Sequence, residues 1–339
     1  MDSSSTHLVN VAVAGVWASP DAPRALDRPV LAAPVKMREW LDAMDDTARR
    51  ELCTHKLIDT QALLGEYVRV LDEHDGWCRI VVPEQHSSKD RRGYPGWMRS
   101  AQLIPVARGK GDAHGCQHWA MVMTPYATLR SAAGEFEALT TSFLTRLPLL
   151  DELNDECEVM TPLGRGLISR DAVEFDAGSP RQRSATEIIA MGEAFLGLPY
   201  LWSGRSAFGF DCSGFVHALF KAAGYLIPRD AIDQAEQGQP VALDALAVGD
   251  LLFFERPQHD GRLRIEHVGL YCGDGQMLHS PTSGQSIEYC RLAGSQYADE
   301  LCAARRYTTP PQAPQAIASR TTDHADTGVV MSPLSDHQK

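Results

Sequence analysis

The 339-residue chain is long enough for two or three domains, and 44% hydrophobic with 22% charged residues is the make-up of an ordinary globular protein. A net charge of −12 argues against nucleic acid and anionic lipid as partners, because no basic surplus is left to neutralise phosphates. No apolar run approaches the roughly 18–20 residues that a membrane helix needs, so no membrane association is expected.

In chain order, "VNVAVAGVW" alternates in the manner of a first β-strand. Asp2 and His7 are the only ionisable side chains before it, so the positive start of a secretory signal is missing. The expected location is the cytoplasm, with the periplasm or secretion as the alternative. Met37, Trp40, Leu41, Met44, Ala48 and Leu52 recur at three- and four-residue steps and predict a helix over about 36–53. Strand-like "EYVRVLDE" and "GWCRIVVP" flank the turn "EHDG"; a polar loop, "QHSSKDRRGYPG", leads to "GWMRSAQLIPV". That order is the order of a small β-barrel, spanning 1–108. The Gly-rich break "ARGKGDAHG" opens a second β-rich stretch, 109–176, which contains no chemical constellation and reads as a spacer.

The third domain, 182–309, begins with a helix. Ser184 and Glu187 form its capping box, Ile188, Met191 and Phe195 its apolar stripe, and Gly197 its stop. A second helix in "GFDCSGFVHALFKAAG" precedes strand-like "LAVGDLLFFE", "RIEHVGLYCGDGQMLHSP" and "QSIEYCRL". Helices followed by antiparallel strands predict an α+β domain. The Pro-rich polar tail, 310–339, is expected to be disordered.

The eight cysteines show no C-x-x-C pair, which removes a zinc knuckle or a dithiol redox site and suggests reduced thiols. Cys212 differs from the rest in its position. With Asp211 as N-cap, it falls in the first turn of a helix that ends at Gly224, where free N–H groups and the helix dipole favour a thiolate. Six of the twelve histidines lie in the β-rich region and two in the tail; His217 points away along the helix and His259 sits in a polar loop. His267 and His279 remain, on the two arms of a hairpin turning near Gly273, nearly opposite each other and on one face. A Cys-His-His relay fits this pattern. So do a buried structural thiol with a packing pair of histidines, and a zinc site completed by Asp211 or Cys212.

"PYLWSGRSAFGFDCSGFVHALFKAAG", "VGDLLFF" and "EHVGLYCGDGQMLHS", in that order, resemble the NlpC/P60 cysteine peptidases over about 182–307. The resemblance implies a papain-like α+β domain with Cys212 as nucleophile, His267 as base and His279 as the third polar residue, and no metal or organic cofactor. Upstream, "TQALLGEYVRVLDEHDGWCRIVV" and "GYPGWM" with "SAQL" resemble a bacterial SH3 domain, followed by a more diverged one. Two SH3-like barrels ahead of NlpC/P60 is the arrangement of the γ-D-glutamyl-L-diamino-acid endopeptidases. This implies murein tri- and tetrapeptides with a free N-terminal L-alanine as substrates, and murein recycling as the role. It also implies that Asp59 and Tyr94, from the first barrel, close over the cleft. An α-ammonium taken into such a cleft needs acceptors, for which Asp59, Tyr94 and Asp230 are candidates, with Asp211 and Ser213 binding other polar groups of the substrate. Two positions depart from the subfamily: Asp59 replaces a longer glutamate, and Ala231 replaces a frequent serine. The alternatives to a peptidase are an amidase or acyltransferase on the same fold, and a wall-binding SH3 protein.

Overall fold

A computed structural model describes residues 5–106, 116–257 and 260–308. The Gly-rich break at 107–115, His259 and the tail from 310 lie outside the described residues.

The first β-rich segment is not one strand but two, β1 (Ser5–Val9) and β2 (Val13–Trp17), separated by a bend at 10–12. The bend lets one stretch of chain serve two places in a barrel. β1 pairs with β4 (Tyr67–His74) and β7 (Leu103–Pro105), and β2 pairs with β3 (Ile58–Leu63) and β6 (Tyr94–Arg99). With β5 (Trp77–Val82) the order is β3-β2-β6-β5-β4-β1-β7. Asp75 and Gly76 turn the β4–β5 hairpin at φ 48° and 74°, the doubly positive turn whose twist matches paired strands.

The insertion after β2 is likewise divided. A short α1 (Arg28–Leu31) precedes α2 (Met37–Ala43) and α3 (Asp46–Thr54). The continuous helix expected over 36–53 breaks because the Asp45 carboxylate accepts the Ala48 N–H at 2.8 Å and starts a new helix. The predicted apolar positions Trp40, Met44 and Leu52 are buried all the same, packed with Trp17 and Ile58.

The second barrel is formed by β8 (Trp119–Val122), β9 (Tyr126–Ser131), β10 (Leu139–Ser142), β11 (Arg146–Glu152), β12 (Glu156–Thr161), β13 (Gly164–Ser169) and β14 (Val173–Asp176), all antiparallel. It is more than a spacer. Tyr126 Oη donates to Ala207 O at 2.6 Å, and Ser142 Oγ accepts from Ala207 N at 2.8 Å. Both backbone polar atoms of a buried residue close to Cys212 are thus held by this barrel.

In the third segment the Ser184–Glu187 capping box starts α4 (Ala185–Glu193), and the chain then leaves through Gly197 at φ 82°, a turn after the helix has ended. The small hairpin of β15 (Arg205–Ser206) and β16 (Gly209–Phe210) leads directly into α5 (Cys212–Ala222), followed by α6 (Ala231–Glu236). The sheet comprises β17 (Gln239–Val241), β18 (Leu251–Pro257), β19 (Leu263–Gly273), β20 (Gln276–His279), β21 (Glu288–Arg291) and β22 (Leu301–Arg306), ordered β17-β22-β18-β19-β20-β21, with α7 (Tyr297–Glu300) before β22. α5 packs on β19, which brings the helix start and the histidine hairpin together.

The first barrel locks onto this sheet domain through polar contacts. Trp202 Nε1 and Ser203 Oγ donate to Ile58 O at 3.2 and 2.6 Å. The buried Arg205 guanidinium grips both oxygens of Glu66 at 3.0 and 2.5 Å, and Lys221 reaches Glu66 at 3.1 Å and Glu84 at 2.7 Å.

Candidate active site

Asp211 has the extended backbone of an N-cap, and its carboxylate accepts the Gly214 N–H at 2.5 Å. Only glycine fits at 214, where a Cβ would lie 2.1 Å from Gly204 O. The same carboxylate is held by two nitrogens of Arg229, at 3.1 and 2.8 Å, and Arg229 Nη1 also donates to Ser213 Oγ at 3.0 Å. Arg229 reaches Thr60 of the first barrel at 2.9 Å. Asp211 and Ser213 therefore line the cleft while their polar atoms also anchor the helix start. The sequence reading passed over Arg229; its only signal is a basic residue beside Asp230 in "PRDAIDQ".

Cys212 Sγ lies against β19, 3.9 Å from Glu266 O, with the N–H groups of Val268 and Ser213 directed at it. Burial, then the Asp211 charge, push the thiol up to about 12, and the N–H groups pull the other way without prevailing. Desolvation thus opposes the thiolate that the helix start favours.

The hairpin turn falls at Asp274–Gly275 (φ 49° and 67°), and Leu270 pairs with Leu278. His267 and His279 are therefore diagonal across the two strands rather than directly opposite, still on one face. His267 Nε2 lies 2.8 Å from His279 Nδ1. Gly269 leaves the space for this pair, since a Cβ there would meet Met277 Sδ at 2.5 Å and His279 Cβ at 3.5 Å. Tyr297 stacks on His267, with ring centroids 5.2 Å apart, and meets His279 edge-on at 5.0 Å. Burial lowers His279 to about 4; burial, followed by the His279 charge, lowers His267 well below its ordinary range. His279 Nε2 has no hydrogen-bond partner among the described residues, and the Glu288 carboxylate stands 3.8 Å away.

Cys212 and His267 open into a cleft of about 450 Å³, whose other wall carries Asp59, Lys89, Tyr94 and Asp230. Tyr94 Oη donates to Asp230 at 2.9 Å. Burial raises Asp59, with Asp230 adding to the rise and Lys89 opposing it. Tyr94 starts β6 directly after Gly93, whose φ of 136° and closeness to Val82 O, 2.3 Å from a Cβ, admit no side chain. The structure thus brings the sequence-predicted Asp59, Tyr94 and Asp230 into the same cleft as Cys212 and His267. Cys53 and Lys56, at the end of the helical insertion, also line it and were not anticipated. A larger hollow of about 680 Å³, between 10–12, 33–39 and 136–140, contains neither cysteine nor histidine. Among the described residues no cluster of three His, Cys, Asp or Glu is placed to hold a metal ion.

Residues 197–306 match the NlpC/P60 family, 54–103 the bacterial dipeptidyl-peptidase Sh3 domain and 122–175 the YKFC SH3b2 domain. The chain is 47% identical to the gamma-D-glutamyl-L-lysine dipeptidyl-peptidase of Bacillus subtilis strain 168, over 88% of this chain and 98% of that protein. It is 36% identical to the protein of the same description from Bacillus cereus ATCC 10987, over 89% and 91%. The crystal structure of an NlpC/P60 family protein from Bacillus cereus ATCC 10987 superimposes with a TM-score of 0.84 at 35% identity, covering 90% of this chain and all of that one. On these matches and the site they fall on, the chain belongs to the NlpC/P60 family of cysteine peptidases, in the group that has two bacterial SH3 domains ahead of the peptidase fold.

Proposed function

We propose that the protein hydrolyses the γ-D-glutamyl–L-diamino-acid bond of murein tri- and tetrapeptides with a free N-terminal L-alanine, releasing L-Ala-γ-D-Glu for recycling of cell-wall peptides in the cytoplasm. One observation carries this reading: a single cleft holds a thiol–imidazole pair and, on the wall supplied by the first barrel, the acceptor cluster of Asp59, Tyr94 and Asp230. The two Bacillus relatives, gamma-D-glutamyl-L-lysine dipeptidyl-peptidases, support it. An α-ammonium placed among two carboxylates and a phenol is matched in charge and hydrogen bonds; an N-acylated end leaves those groups unpaired, and sites of this kind discriminate strongly.

The chemistry follows from the tautomers. With the proton of His279 on Nε2, towards Glu288, its Nδ1 accepts from His267 Nε2–H, which leaves His267 Nδ1 free as a base. Nδ1 takes the Cys212 proton as sulfur attacks the glutamyl carbonyl. The oxyanion is held by N–H groups of the α5 start, Cys212 included. His267 returns the proton to the departing amine, and water, deprotonated by the same nitrogen, releases the thioester as the free acid.

The test is incubation of the reduced protein with L-Ala-γ-D-Glu-L-Lys, its diaminopimelate analogue and their N-acetylated forms, read by mass spectrometry. Release of L-Ala-γ-D-Glu from the free-amine peptides alone is the expected result. Equal cleavage of acetylated peptides removes amine recognition, and cleavage of none removes the peptide assignment.

A further inference from the structure

Lys89 stands on the loop between β5 and β6, and its ammonium lies in the middle of the acceptor cluster. It is 3.6 Å from Asp59 and 3.3 Å from Asp230, it donates to Tyr94 Oη, and it rests 4.3 Å from the centre of the Tyr94 ring. These are the three groups assigned above to the substrate amine. The side chain is 44% exposed, so its stem can swing into water without disturbing the barrel core.

We propose that Lys89 is a specificity-determining residue: its ammonium is a built-in occupant of the amine subsite, and a substrate enters by exchanging its own ammonium for it. The inference rests on the reading of this cluster as the amine subsite. In the free enzyme the cation pairs with both neighbouring carboxylates beside a buried phenol, and it opposes the rise that burial and the Asp230 charge impose on Asp59. A substrate α-ammonium replaces one cation by another, so the acceptors stay paired while Lys89 regains its hydration. A neutral N-acyl end has to expel Lys89 and supply nothing in return, which sets a threshold for entry in addition to the missing contacts.

The experiment compares full-length wild type, Lys89→Met and Lys89→Arg on L-Ala-γ-D-Glu-L-Lys and its N-acetylated form. Lys89→Met is expected to lower KM for the free-amine peptide by about fivefold, the worth of a partly exposed ion pair, with kcat within about twofold of wild type. KM for the acetylated peptide falls at least as far, and the acid limb of kcat/KM moves to higher pH, because Asp59 loses the charge that opposes its rise. Lys89→Arg keeps a cation in the subsite and stays near wild type. A Lys89→Met KM that is unchanged or raised, while wild type still prefers the free amine, overturns the inference alone. A wild type indifferent to acetylation overturns the subsite reading on which it rests.

Discussion

His267 Nε2 and His279 Nδ1 are 2.8 Å apart, and one tyrosine ring, that of Tyr297, touches both imidazoles. The hydrogen bond couples the tautomers of the two rings, and the tyrosine ring holds their orientation. His279→Ala should lower kcat about a hundredfold or more with little change in KM, since His267 keeps its place but loses the acceptor that selects its tautomer. His279→Asn, which restores an acceptor, should recover part of the loss. A KM that rises as steeply as kcat falls would indicate a collapsed cleft instead.

The protonation states predict an unusual pH response. Burial and the His279 charge hold His267 neutral well below 6.5, and burial with the Asp211 charge holds the Cys212 thiol up to about 12. These directions predict a thiol–imidazole pair throughout the neutral range, with the proton moving as sulfur attacks. Measured kcat should be level between about pH 6.5 and 9. By contrast, kcat/KM should fall above about pH 8, where a peptide α-amine loses its proton. A kcat inflection near 6.5 would falsify the assignment of a neutral resting pair.

Ala207 depends on the second barrel for both of its backbone hydrogen bonds. The double variant Tyr126→Phe/Ser142→Ala leaves a buried C=O and N–H unpaired, at a cost of about 2–4 kcal/mol. Because Ala207 sits in the hairpin that feeds α5, kcat should drop alongside the apparent Tm, while the free-amine preference is kept. Unchanged kinetics in this variant would return the second barrel to the status of a spacer.

Glu66 is buried between Arg205 and Lys221. Burial alone would raise its carboxyl, but the two cations prevail and hold it at about 2. A carboxyl depressed from 4.5 contributes its stabilisation, about 3 kcal/mol, above pH 4.5 and loses it as pH falls towards 2. Glu66→Gln should lower the apparent Tm at pH 7 by roughly 5–10 °C and flatten the pH dependence of Tm between 4.5 and 2. An identical Tm for variant and wild type at pH 7 would mean that this ion pair does not hold the first barrel to the peptidase domain.

What the sequence made legible was local. Asp211 as cap, Cys212 in the first turn and two histidines on one face of a hairpin are all set by short-range spacing, and all three are found. Asp59, Tyr94 and Asp230 could be tied to one cleft only through the family pattern, because 35 residues of barrel and 136 further residues separate them along the chain. Arg229 and Lys89 were missed for the same reason: each reads as an ordinary polar-loop cation until folding sets a carboxylate on either side. The desolvation of Cys212 was not legible, because the helix start is a local property and desolvation a collective one. The split of the 36–53 helix, in contrast, was within reach, since "MDD" offers a capping aspartate in mid-helix.

The two walls of the cleft come from different parts of the chain: Asp59 and Tyr94 from the first barrel, Cys212 from the start of α5 and His267 from β19. A peptidase fold parted from the barrel would keep its sulfur and histidines but have no end wall. On the proposed function the barrel would act as a stop block: by fixing how far a peptide slides in, it would decide which bond comes to rest over the sulfur. Bond breaking and measurement of length would then rest on separate modules, and mutation could retune one while sparing the other.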